Sequence, residues 1–221
     1  MIETLEDKIR FTRAEEVEDD DEGEVESTHP VGPNILYISG PITSETIDPA
    51  VGFVIAHNIQ PEFDRIIIFI NSPGGSLHHG FALSSVIKSS RVPVFTIALG
   101  ECDSAGLIIA MAGDLRLIAP NCSVLSHQYS ASLGMSKHID LEAKTKDLKM
   151  TAQRVIDHYV QSTGLPEKEV KKYLVHEKDV YLSAEEAVKY NMFDDVFVSF
   201  DQLLFDFEPS EEENETKQEN A

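Results

Sequence analysis

Two short segments hold the residue types needed for chemistry: Asn71-Ser72-Pro73-Gly74-Gly75 and Gly100-Glu101-Cys102-Asp103-Ser104-Ala105-Gly106. Each follows an apolar run that reads as a strand and precedes a helical pattern. At such strand-to-helix turns, backbone N–H groups are free to hold an anion. A serine at the second turn, Ser104, would lie beside a ready-made oxyanion site. When a serine oxygen attacks a carbonyl, the carbonyl oxygen becomes an anion. One preorganised donor lowers that barrier by about 3–4 kcal/mol in a mutational case. The N–H of Ala105 is one natural donor. That of Gly75 is the other, because paired glycines let a backbone approach a substrate closely. Taken alone, Ser-Pro-Gly-Gly is also a plain turn, and Ser104 alone is also a helix cap.

A serine nucleophile needs a base. Of the 8 histidines, His127 is the best placed, ending the apolar strand Val124-Leu125-Ser126 and preceding a loop that starts at Gln128. His78 and His79 read as surface positions of a helix, and His138 and His158 fit helix faces. Position alone leaves the choice of base open. Cys102-Asp103-Ser104 has no metal-ligand spacing, and no Gly-x-x-x-x-Gly-Lys-Ser/Thr phosphate loop occurs. No metal or other cofactor is therefore expected, and any use of ATP must belong to a partner.

The elements that must position these residues alternate. Ile35-Leu36-Tyr37-Ile38 reads as a strand and Ala50 to Ile59 as a helix. Ile66-Ile67-Ile68-Phe69-Ile70 is apolar throughout, as expected of a strand buried on both faces of a parallel sheet. Leu77 to Ser89 is helical, Val92 to Ala98 a strand, and Ala105 to Ala112 a short apolar helix. Leu115 to Ile118 and Ser123 to Ser126 are short strands. A long helix follows over about residues 137–161, with Leu141, Leu148, Val155 and Tyr159 on one face. Pro166 can open the next helix. Ser183-Ala184-Glu185-Glu186 is a capping-box signature, and Val196-Phe197-Val198 reads as a last strand. Strands alternating with helices predict an α/β fold with a largely parallel sheet and right-handed crossovers.

The 221-residue chain is 42% hydrophobic, enough for one domain with tails. Its net charge of −21 sits mostly at the ends: residues 1–34 hold 12 acidic and 3 basic side chains, and residues 206–221 hold 7 and 1. This predicts an acidic disordered arm over residues 1–33, a folded domain over 34–205 and an acidic disordered tail over 206–221. The charge argues against nucleic-acid binding, which needs a basic face. No apolar run approaches the roughly 20 residues that span a bilayer. Met1 to Arg13 lacks the apolar centre of a signal peptide. Two cysteines make no disulfide framework, which points to a reducing, cytoplasmic compartment.

The order of these motifs resembles the Clp protease proteolytic subunit (ClpP) family and its crotonase-like superfamily. The shared run is strand, Asn-Ser-Pro-Gly-Gly, helix, strand, Gly-x-x-x-Ser-Ala-Gly, Pro120-Asn121-Cys122-Ser123, Ser126-His127-Gln128, long helix and Leu182-Ser183-Ala184. It extends over about Asn34 to Val198. The resemblance implies a spiral of repeated β-β-α units with a protruding handle helix. It further implies a serine peptidase that hydrolyses unfolded polypeptides inside stacked heptameric rings fed by an AAA+ unfoldase. Ser104 then matches the nucleophile, His127 the base, and Gly75 and Ala105 the oxyanion donors. Two departures stand out. Asp103 precedes the serine, where the family has a small residue. The family's triad aspartate lies eight residues before Ser183, which here is Val175. Of the nearby His176, Glu177 and Asp179, Asp179 is the substitute that a shift in the loop could turn towards His127, and it also reads as an exposed or ring-contact carboxylate. Two other functions remain open: a non-catalytic ring or scaffold subunit, favoured by Val175, and acyl-CoA chemistry, which would not need Ser104 together with His127.

Overall fold

The computed structural model describes residues 28–129 and 138–203. Eight strands and six helices follow in the order β1 (Thr28–Gly32), β2 (Ile35–Ser39), α1 (Ser44–Ile59), β3 (Ile66–Ser72), α2 (Leu77–Lys88), β4 (Val94–Cys102), α3 (Ala105–Ala110), β5 (Leu115–Ile118), β6 (Val124–Ser126), α4 (His138–Thr163), α5 (Glu167–Tyr173), β7 (Val180–Leu182), α6 (Ala184–Lys189) and β8 (Asp195–Val196). A 3-10 turn at Phe200–Leu203 closes the described chain.

The main sheet runs β1-β2-β3-β4-β5-β8. From β2 to β8 every pairing is parallel, while β1 pairs antiparallel with β2. Neighbouring parallel strands follow chain order, so crossovers of one hand stack their helices on one face. The core follows this arrangement. Ile66, Ile68 and Ile70 of β3 pack with Ile47 and Val54 of α1, Leu83 and Ile87 of α2, and all of α3 except Gly106. The alternate β3 residues Ile67 and Phe69 join Phe95, Ile97, Leu117 and Leu203 in a second cluster on the opposite face. An unbroken apolar strand is thus the sequence of a strand covered twice.

β1 is the main difference from the expected boundaries. Residues 28–32 belong to the sheet rather than to the acidic arm, because Thr28 to Gly32 finds a partner along β2. Residues 1–27 and 204–221, which hold most of the arm and tail, lie outside the described residues. β6 and β7 form a separate antiparallel ribbon. Residues 142–147 of α4 are all exposed, whereas Val155 and Tyr159, about two and three turns further on, are buried. Among the described residues no helix is long and apolar enough to cross a membrane.

Candidate active site

The turn between β4 and α3 is an elbow. Ser104 has φ 52° and ψ −113°, a conformation that L-residues avoid and that typically costs about 1–3 kcal/mol. This strain lifts the serine out of the strand direction while α3, with every residue buried, anchors the turn from behind. The Gly-Gly turn after β3 packs directly against it. A Cβ on Gly74 (φ +87°) would stand 2.7 Å from the Asp103 carbonyl oxygen and 2.8 Å from Ser104 Cβ; one on Gly75 (φ +147°) would stand 2.5 Å from the Ile42 carbonyl oxygen. Only glycine therefore permits the two turns to touch.

That contact leaves two amides available. In the bridge between Ile42 and Gly75, Ile42 donates to the Gly74 carbonyl and Ser76 donates to the Ile42 carbonyl. The Gly75 N–H points away from this ladder, and Ala105 opens α3 without an acceptor one turn before it. Among the described residues neither N–H donates a hydrogen bond.

β6 delivers the imidazole. His127 Nε2 lies 2.9 Å from Ser104 Oγ. Several bonds fix the strand that leads to it. Ser104 N–H donates to the Leu125 carbonyl at 2.9 Å. Ser126 Oγ donates to the Leu174 carbonyl at 2.6 Å and stands 2.7 Å from Tyr159 Oη. A hydroxyl has one proton, so the tyrosine is the donor of that second bond. The base is thereby tied to α4 and to the segment after α5.

Asp103 turns away from the reacting side and accepts from Leu125 N–H through Oδ1 at 2.6 Å. Burial raises its pKa; the Leu125 bond and the nearby His127 pull the other way. The neighbouring thiols are no rivals to Ser104. Cys102 is fully buried and desolvation holds its pKa well above the ordinary value; desolvation pushes Cys122 up to about 12. Both stay protonated and inert. His158, expected on a helix face, is buried, with Nδ1 3.2 Å from Lys88 Nζ, and burial lowers its pKa to about 3. It is a neutral core imidazole rather than a second base.

The third candidate, Asp179, is not joined to the base. Asp179 is exposed, and among the described residues no hydrogen bond joins it to His127. The β6–β7 register explains its place. The last pair is Ser126 with Val180, so Asp179 lies one step beyond, opposite His127 but past the end of the ladder. Val175, at the position where the resemblance requires an aspartate, is buried, and its N–H bonds to the Val170 carbonyl. Among the described residues no group of three or more His, Cys, Asp or Glu is placed to hold a metal.

Ser104, His127 and Gly75 open onto a cavity of about 70 Å³ whose walls include Leu77, Ile108, Val155 and Tyr159. Sequence reading missed Leu77 and Ile108 as wall residues, since their helical spacing marks them only as core. The space is of the size of a side chain.

Comparison with known proteins places the chain among relatives of one kind. A family model described as Clp protease matches residues 31–199. An ATP-dependent Clp protease proteolytic subunit of Deinococcus radiodurans is 30% identical over 73% of this chain and 79% of its own length. A proteolytic subunit 1 of Chlamydia caviae is 29% identical over 76% and 88%, and a subunit of Cuscuta reflexa 30% identical over 74% and 82%.

Proposed function

The chain belongs to the Clp protease family, and from that premise we propose that it is a catalytic serine endopeptidase subunit acting on unfolded polypeptides. One observation carries the reading: Ser104 Oγ and His127 Nε2 are 2.9 Å apart, beside two amides that have no acceptor among the described residues. In the proposed reaction His127 takes the Ser104 proton as Oγ attacks the scissile carbonyl. The carbonyl oxygen, now negative, accepts from the N–H groups of Gly75 and Ala105. His127 then returns the proton to the leaving amine, and water releases the acyl group by the same path. Asp179 is the third member, acting on His127 as a nearby charge rather than through a hydrogen bond. The apolar walls beside Ser104 favour an uncharged side chain preceding the cleaved bond.

The relatives' printed names, "ATP-dependent" and "subunit", support assembly into rings and a partner ATPase that supplies unfolded chains. Heptameric stacked rings, a handle role for α4 and an AAA+ unfoldase partner belong to the same proposal. Two free, buried cysteines fit a reducing cytoplasm. The acidic segments at either end would lie outside the catalytic core. A non-catalytic ring subunit is the second reading, favoured by Val175 in the acid's place; the joined Ser104 and His127 weigh against it.

Ser104→Ala tests the choice. Peptide hydrolysis and labelling by a fluorophosphonate are expected to vanish while the assembled size by gel filtration stays unchanged. Equal hydrolysis by variant and wild type would exclude Ser104 as the nucleophile.

A further inference from the structure

β4 and β6 run side by side as a parallel ladder that breaks at the elbow. Its rungs can be followed one by one. Ser123 N–H donates to the Gly100 carbonyl, and Cys102 N–H donates to the Ser123 carbonyl. Ser104 N–H donates to the Leu125 carbonyl. Between the last two, a regular ladder has Leu125 N–H donating to the Cys102 carbonyl. That rung is missing, and the bridge between the strands is confined to Glu101 and Ser123. The Leu125 N–H goes instead to Asp103 Oδ1 at 2.6 Å.

The chemistry of the elbow makes sense of this substitution. The backbone must leave the strand direction at Ser104 to present Oγ, which spoils the ladder where β6 most needs holding. Leu125 lies two residues before His127. A buried amide without an acceptor costs about 1–3 kcal/mol, enough to let the strand end shift. A small residue at 103 has nothing to offer that amide, whereas a carboxylate reaches it and makes a charge-assisted bond. Two bonds from consecutive residues, Asp103 Oδ1 and Ser104 N–H, then grip the two sides of Leu125.

We propose that Asp103 is a positioning residue for the base: its side chain supplies the missing rung and so holds β6, and with it His127, against Ser104. The inference rests on the peptidase reading. It accounts for a carboxylate next to the nucleophile in a chain whose buried Val175 occupies the expected acid position. The carboxylate works through the strand, not by touching the imidazole.

The test compares Asp103→Ala and Asp103→Asn in the assembled protein. The readouts are peptide hydrolysis, the rate of fluorophosphonate labelling at Ser104, and hydrogen exchange over residues 124–128. Asn keeps an oxygen acceptor without the charge. For Asp103→Ala, kcat and labelling are expected to fall at least 10-fold with KM little changed, and exchange over 124–128 to accelerate. Asp103→Asn is expected to restore slow exchange and to bring the rates within about 3-fold of wild type. If the alanine variant does not assemble, Asp103→Val makes the same comparison. Wild-type rates in the variant lacking an acceptor would overturn the inference while leaving the peptidase reading intact. Faster exchange with unchanged labelling would also overturn it, because the rung would then hold the strand without placing the base. A wild-type serine that neither labels nor cleaves would overturn the peptidase reading itself, and this inference with it.

Discussion

At the scale of single residues, the nucleophile and base are set with hydrogen-bond precision, whereas the group behind the base is not. A serine-histidine pair needs its imidazole held in one tautomer, with Nδ1 carrying the proton while Nε2 accepts from Oγ. In another triad, removing the acid's charge lowers turnover about 10⁴-fold. Here Asp179 sits past the last β6–β7 pair and is exposed, so water screens its charge and its effect must be much smaller. Asp179→Asn is expected to lower kcat by about 2- to 10-fold without altering KM, as measured on a short peptide. Unchanged turnover would leave Asp179 as a surface carboxylate.

Among the elements, those whose sequence is self-sufficient were the legible ones. β3 announces itself through five consecutive apolar residues because both its faces are covered. α6 announces itself through a capping box in which Ser183 accepts from the Glu186 N–H while the Glu186 carboxylate accepts from the Ser183 N–H. Ser183→Ala is expected to remove about 1 kcal/mol. That corresponds to a melting temperature lower by about 2–4 °C, with hydrolysis preserved. Elements that depend on a distant partner were less legible. β7 has three residues and exists because β6 pairs with it. α1 starts at Ser44 rather than Ala50 because Thr43 and Thr46 form a capping box without the usual Glu or Gln, and because the helix accommodates Pro49 inside. The site divides in the same way. Ser104, Gly75 and Ala105 can be picked out from turn chemistry and His127 from the order of motifs that resembles the family's, but the Asp103–Leu125 bond joins segments 22 residues apart. No local pattern announces it.

At the scale of the whole molecule, the negative charge is concentrated towards the two ends of the sequence. The densest acidic runs lie in residues 15–26 and 206–219, before and after, in the sequence, the segments that carry Ser104 and His127. Removing residues 1–26 leaves β1 intact and is expected to spare the cleavage of short peptides, with any change confined to long substrates or to partner docking. Loss of short-peptide cleavage on deletion would place the arm in the catalytic unit. α4 joins the exterior to the site: its exposed turns at 142–147 continue as one rod into Val155 and Tyr159, which wall the cavity.

The twisted backbone at position 104 has a last consequence. Glycine would take φ 52° and ψ −113° at ease, so a molecule freed from any duty to cleave would relieve the strain by discarding the whole side chain, Cβ included. Drift under selection for sturdiness alone leads away from serine. A subunit that served only as masonry would have had every thermodynamic inducement to let this bend relax.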